Sequence, residues 1–117
     1  MRRLLAVHNN FNVDGKMSKL VRDCIPQIIQ ESGRKPKYRR VFGEDEHLIY
    51  LKAKMVEEVN EFVENPCYEE AADMLEVLKC FCRMHELEFD AVVGAAENKE
   101  EQRGGFDGGI ILLGVEE

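Results

Sequence analysis

The 117 residues predict a mainly all-α fold, a helical bundle with one short β ribbon. Three observations point to it. Leu48, Leu51, Met55, Val59, Phe62 and Val63 recur at three- and four-residue spacing, the period of a helix with one buried face. Two further helical stretches follow, set apart by residues that stop helices, Asn65-Pro66 and then Gly104-Gly105. Strand-like composition is confined to two short stretches, 36–42 and 109–115, which could pair with each other.

Taken in order, residues 1–16 read as a poorly structured N-terminal extension. Met17-Ser18-Lys19 resembles a second start, so the folded domain is expected over 17–117. One short amphipathic helix is predicted within 19–32, with Pro26 near its first turn and Gly33 ending it. The stretch from Arg34 to Phe42 is basic and partly extended. A long helix is predicted from Glu44 to Glu64, a second from about Tyr68 to His85 and a third from about Asp90 to Gln102. In the second, the polar arc is only Glu76, Lys79, Arg83 and Glu86, so this helix is expected to be central and covered on several sides.

Composition narrows the function classes. With 44% apolar and 33% charged residues, the chain is a globular domain, neither disordered nor membrane-spanning. The four cysteines form no CxxC pair, and they read as reduced core thiols of a cytoplasmic protein. Net charge is −7, but residues 1–43 carry ten Lys/Arg against three acids, and residues 44–117 carry six against twenty. A basic head on an acidic body rules out a uniformly basic nucleic-acid binder. Either the halves attract each other, or the acids hold a cation whose anionic ligand the basic residues grip.

The acids are patterned. Glu57, Glu58 and Glu61 lie near the end of one helix, Glu70 and Asp73 near the start of the next. Glu61 and Glu70 are equally far from the 65/66 junction, and so are Glu58 and Asp73. In an antiparallel hairpin with a short turn, such pairs stand opposite one another. An i, i+3 pair is separated by about 4.5 Å along its helix, and packed axes lie about 8–10 Å apart, so four carboxylates can converge. A solvated acidic face is the ordinary fate of such residues. Here Glu70 and Asp73 fall on the apolar side of their helix, where like charges need protonation or a bound cation. Carboxylates without patterned His or Cys select a hard ion, Mg²⁺ or Mn²⁺. Such an ion takes its remaining ligands from substrate phosphates, which points to phosphoryl or nucleotidyl chemistry. Glu57 or Glu61 is then the candidate proton acceptor, and Lys54, Lys99 and Arg103 are candidate phosphate contacts.

The run Glu57-Glu58-Val59-Asn60-Glu61, followed by Glu70-Ala71-Ala72-Asp73, resembles the EExxE…ExxD signature of the all-α nucleoside triphosphate pyrophosphohydrolases, the MazG and phosphoribosyl-ATP pyrophosphohydrolase superfamily. Two flanks sharpen the likeness. Lys19-Leu20-Val21-Arg22-Asp23-Cys24-Ile25-Pro26 is similar to the KLVRDxIP opening of a small house-cleaning branch, and Lys99–Phe106 to its KxxxRGGF close. The resemblance implies a MazG-like helical bundle that cleaves a nucleoside triphosphate, such as an aberrant one, between the α and β phosphates. It implies metal ligands at Glu58, Glu61, Glu70 and Asp73 and substrate contacts at Asn98, Lys99 and Arg103. A homodimer or larger homo-oligomer is implied too. Eight residues separate Glu61 from Glu70, fewer than in MazG itself, so MazG's base-recognition residues do not transfer. Lys19, Arg22 and Asp23 have no role derivable from chemistry alone; helix anchoring and phosphate contact both stand. Two alternatives remain: phosphoribosyl-ATP hydrolysis in histidine synthesis, and a non-enzymatic nucleic-acid- or partner-binding module using Arg34, Lys35, Lys37, Arg39 and Arg40.

Overall fold

The structure, a computed structural model, describes residues 18–117 and, before them, the backbone of Asn12–Val13 and Lys16–Met17. These two strands, β1 (Asn12–Val13) and β2 (Lys16–Met17), pair antiparallel, with Asn12 opposite Met17 and Val13 opposite Lys16. The rest of the expected 1–16 extension lies outside the described residues. Four helices follow among the described residues: α1 (Ile25–Glu31), α2 (Glu44–Glu64), α3 (Tyr68–Met84) and α4 (Phe89–Arg103). The mainly all-α expectation holds, and the helix bounds fall within a residue or two of those the periodicity predicts. No helix of the described residues is long and apolar enough to cross a membrane.

Local chemistry explains the ends. Pro26 sits in the first turn of α1, where its missing N–H costs nothing. Gly33 closes that helix at φ +89°, with its N–H on the Gln30 carbonyl and the Arg34 N–H reaching back to Ile29. At the start of α2, Gly43 offers no capping side chain. Glu46 does the work from the first turn, accepting the Phe42 N–H at 2.7 Å and a forked pair of bonds from Arg39 at 2.8 and 3.0 Å. Those bonds, the Arg39 fork first and the Phe42 amide second, hold the Glu46 carboxyl down at about 2. Asn65-Pro66 ends α2, and α3 begins two residues later. The α3 end places Glu86 at φ +59°, with Leu87 N–H bonded to the Cys82 carbonyl.

Contacts divide the chain into two compact units, one ending at Phe81 and the other spanning Cys82–Glu117. Among the described residues buried apolar side chains are few: Leu51 in the first and Cys82 in the second.

Two expectations need correction. Neither 36–42 nor 109–115 forms a strand, so the predicted ribbon between them is absent. Phe42 gives its N–H to Glu46, and Pro36 has none to give. In the tail, the single backbone bond is a turn from Gly109 to Phe106. The second correction concerns α3. Leu75 and Leu78 keep 46% and 40% of their surface exposed, so the helix is not covered on several sides within one chain. Its apolar pattern has more surface than this chain buries.

Candidate metal centre

The first unit buries acids where a domain normally buries aliphatic side chains. Glu58 and Glu70 are each 1% exposed and Glu57 is 3% exposed, as deep as Leu51. Glu57 and Glu58 lie on α2, Glu70 on the first turn of α3, and Asp73 one turn later. The three-residue break at Asn65-Pro66-Cys67 folds α3 back beside α2. One carboxylate oxygen each from Glu58, Glu70 and Asp73 then lies within 4.8 Å of the others. Two of these side chains are buried and Asp73 is half-buried. Anions this close repel by about 4 kcal/mol per pair at 4 Å and an effective dielectric of 20. The cluster therefore calls for protonation or for cations beside it.

The chain supplies some. Lys54 Nζ lies 3.4 Å from Glu57 Oε1 and 3.6 Å from Glu58 Oε2, at i, i+3 and i, i+4 on the same helix. Arg22 Nη2 donates to Asp73 Oδ1 at 2.6 Å from 51 residues away, tying the segment before α1 to α3. Glu57 remains the outlier. Its Oε2 is buried without a hydrogen-bond partner. Burial pushes its carboxyl above the ordinary value, Lys54 opposes that rise, Glu61 adds to it, and Lys19 weakly opposes it.

The geometry sorts the residues singled out from sequence. Glu58, Glu70 and Asp73 come together. Glu61 is half-buried and falls outside the 4.8 Å set, acting instead on Glu57 by like-charge repulsion. Lys54, expected to face substrate phosphate, is half-buried against Glu57 and Glu58. Arg22 gains a partner, Asp73, that no local pattern announces, and Lys19 acts on Glu57. Asp23 is exposed. Asn98, Lys99 and Arg103 are exposed on α4, in the second unit. All four cysteines are free, as expected, but only Cys82 is a core thiol; Cys24 is exposed. In the basic segment, Arg39 is committed to Glu46 and lies 4.3 Å over the Phe42 ring.

The donor set suits a hard divalent ion. All three converging groups are carboxylates, and beside them Glu57 holds an unpartnered buried oxygen. Set against known proteins, the chain matches no family model, no curated protein and no solved structure.

Proposed function

We propose that this chain is a Mg²⁺-dependent nucleotide pyrophosphohydrolase, splitting a nucleoside triphosphate into the monophosphate and pyrophosphate. One observation carries the reading: buried carboxylates of two helices converge within 4.8 Å, a placement that a bound divalent ion stabilises. The resemblance of the EExxE…ExxD, KLVRDxIP and KxxxRGGF segments to the MazG-like house-cleaning enzymes supports it and supplies the cleavage position.

Glu58, Glu70 and Asp73 would hold the ion, Mg²⁺ or Mn²⁺, with Glu61 the further ligand that the motif suggests. When bound, such an ion neutralises phosphate charge and acidifies a water. Glu57, whose proton affinity burial has raised, would take up the proton given by the attacking water, whose oxygen would bond to the α-phosphorus while pyrophosphate leaves. Lys54 holds Glu57 and Glu58 in position. The family resemblance assigns phosphate contacts to Asn98, Lys99 and Arg103. The free thiols accord with a cytoplasmic setting, and the open face of α3 accords with a homodimer or larger homo-oligomer.

Product analysis on a panel of ordinary and aberrant triphosphates and phosphoribosyl-ATP, with and without Mg²⁺, tests this. Monophosphate plus pyrophosphate, formed only with metal, is the expected result. Diphosphate plus inorganic phosphate would overturn it, and turnover of phosphoribosyl-ATP alone would move the enzyme into histidine synthesis.

Arg22 offers a second check. Arg22→Ala leaves Asp73 without its guanidinium and is expected to lower the stability of the metal-free protein by about 1 kcal/mol. Saturating Mg²⁺ should erase the deficit, because the ion then balances Asp73. Thermal unfolding with and without the ion reads both values; a deficit that persists unchanged in Mg²⁺ would show that Asp73 does not face it.

A further inference from the structure

One cation stands at the rim of the carboxylate cluster with most of its donors unused. Lys54, the cation on α2, keeps only 14% of its side chain exposed and is held by Glu57 and Glu58. Arg22 differs on both counts. It lies ahead of α1, where its carbonyl accepts the Ile25 N–H at 3.0 Å in a turn, and 54% of its side chain is exposed. From there Nη2 reaches Asp73 Oδ1 at 2.6 Å. That bond uses one of five N–H donors, and among the described residues the side chain makes no other hydrogen bond. Lys19, three residues earlier, bears on Glu57 by its charge, so this one segment brings two cations to the acids.

Two cations have a claim on Asp73. Its carboxylate is one of the three whose oxygens lie within 4.8 Å of one another, a set that suits a divalent ion. The same carboxylate carries the Arg22 bond. A guanidinium and a divalent ion on one carboxylate repel each other and draw on the same charge, so each weakens the hold of the other. Arg22 is the partner able to leave, because its stem is exposed while Glu58 and Glu70 are fixed in the interior. An ion of this class keeps positions that phosphate oxygens fill. A guanidinium turned away from Asp73 lies within a side chain's reach of those phosphates. Its planar fork matches two phosphate oxygens as it matches a carboxylate.

We propose that Arg22 is an exchangeable phosphate contact: it neutralises Asp73 in the metal-free protein, yields that carboxylate to the divalent ion, and turns its guanidinium onto the triphosphate that the ion brings. The last step rests on the pyrophosphohydrolase reading; the earlier ones rest on the Arg22–Asp73 pair. The exchange couples the two ligands. The ion frees the phosphate contact, and by linkage the triphosphate tightens the ion, because it draws the competitor away from Asp73.

Calorimetric titration of the full chain with Mn²⁺ is the test, followed in saturating Mn²⁺ by inorganic tripolyphosphate and α,β-methylene ATP added as their Mn²⁺ complexes. Parent, Arg22→Ala and Arg22→Lys are compared. Arg22 is exposed, so both variants should keep the far-ultraviolet circular dichroism of the parent. Arg22→Ala is expected to bind Mn²⁺ about 5-fold more tightly, because the competitor is gone. It should bind the triphosphates about 10- to 100-fold more weakly, the usual loss of a charge-assisted forked contact. Arg22→Lys keeps a charge beside Asp73 but no fork, so it should hold Mn²⁺ as the parent does and lose part of the triphosphate affinity. These opposite signs separate an exchange from a scaffold. Weaker binding of both ligands in Arg22→Ala, or unchanged binding of either, would overturn the exchange and leave the pyrophosphohydrolase reading intact. A parent that binds no Mn²⁺, or Mn²⁺ but neither triphosphate, would overturn the exchange and that reading together.

Discussion

Replacing Asp73 with Asn is expected to abolish pyrophosphohydrolase activity, by about 10³-fold or more, while the fold survives. The side chain keeps its size, and its amide oxygen can still accept from Arg22. What disappears is one negative charge from the set of Glu58, Glu70 and Asp73. In the metal-free protein this relieves repulsion at the cost of a charge-assisted bond, so the unfolding temperature should change little. With Mg²⁺ at a hundred times its dissociation constant, the parent protein should gain about 2.7 kcal/mol. The variant should gain almost none, because a neutral amide is a poor substitute for a carboxylate ligand of a hard ion. Paired melting curves and a pyrophosphate-release assay read the two consequences separately. A fully active Asp73→Asn enzyme would end the proposal. A variant that is inactive yet still stabilised by Mg²⁺ would keep the ion and remove Asp73 from its ligands.

The second large effect concerns stability. Lys54→Met should destabilise the metal-free protein by about 3–5 kcal/mol near neutral pH, the usual result of removing one partner from a buried ion pair. Glu57 and Glu58 would then share the interior with no cation at 3.4 and 3.6 Å. The pH dependence has a definite sign. Glu57 has a folded-state pKa raised above its unfolded value by burial, so its protonated form favours the folded state. Its contribution is fully present below the unfolded value of 4.5 and is lost as pH rises through the folded value. Removing Lys54, which lowers that pKa, widens the window. The Lys54→Met deficit should therefore shrink on acidification toward pH 4.5 and grow above it. Adding Glu57→Gln to the same chain should recover part of the loss at neutral pH and flatten the profile. Denaturant unfolding at several pH values measures this, and a deficit independent of pH would mean that Lys54 contributes packing rather than charge.

Much of the fold was legible because it is locally encoded. The 3.6-residue period of Leu48, Leu51, Met55, Val59 and Phe62, the break at Asn65-Pro66, and Gly33 beyond α1 each act through bonds within a few residues, and each element appears where those signals put it. The site was partly legible for the same reason. With helices on either side of a three-residue corner, equal distance from the corner places Glu58 against Asp73. The link between Lys54 and the acids three and four residues on is likewise local, set by helical spacing alone.

Other features rest on distances in space. Four helices, their stops and a pair of acid clusters facing across a corner follow from local chemistry, because hydrogen bonds and side-chain sterics over three or four residues settle those. Packing in space settles instead that Glu61 falls outside the carboxylate cluster, that Arg22 reaches Asp73 across 51 residues, and that the tail pairs with no strand among the described residues. Those outcomes depend on which surfaces meet and on how much apolar area one chain can cover, and no run of neighbouring residues carries that information.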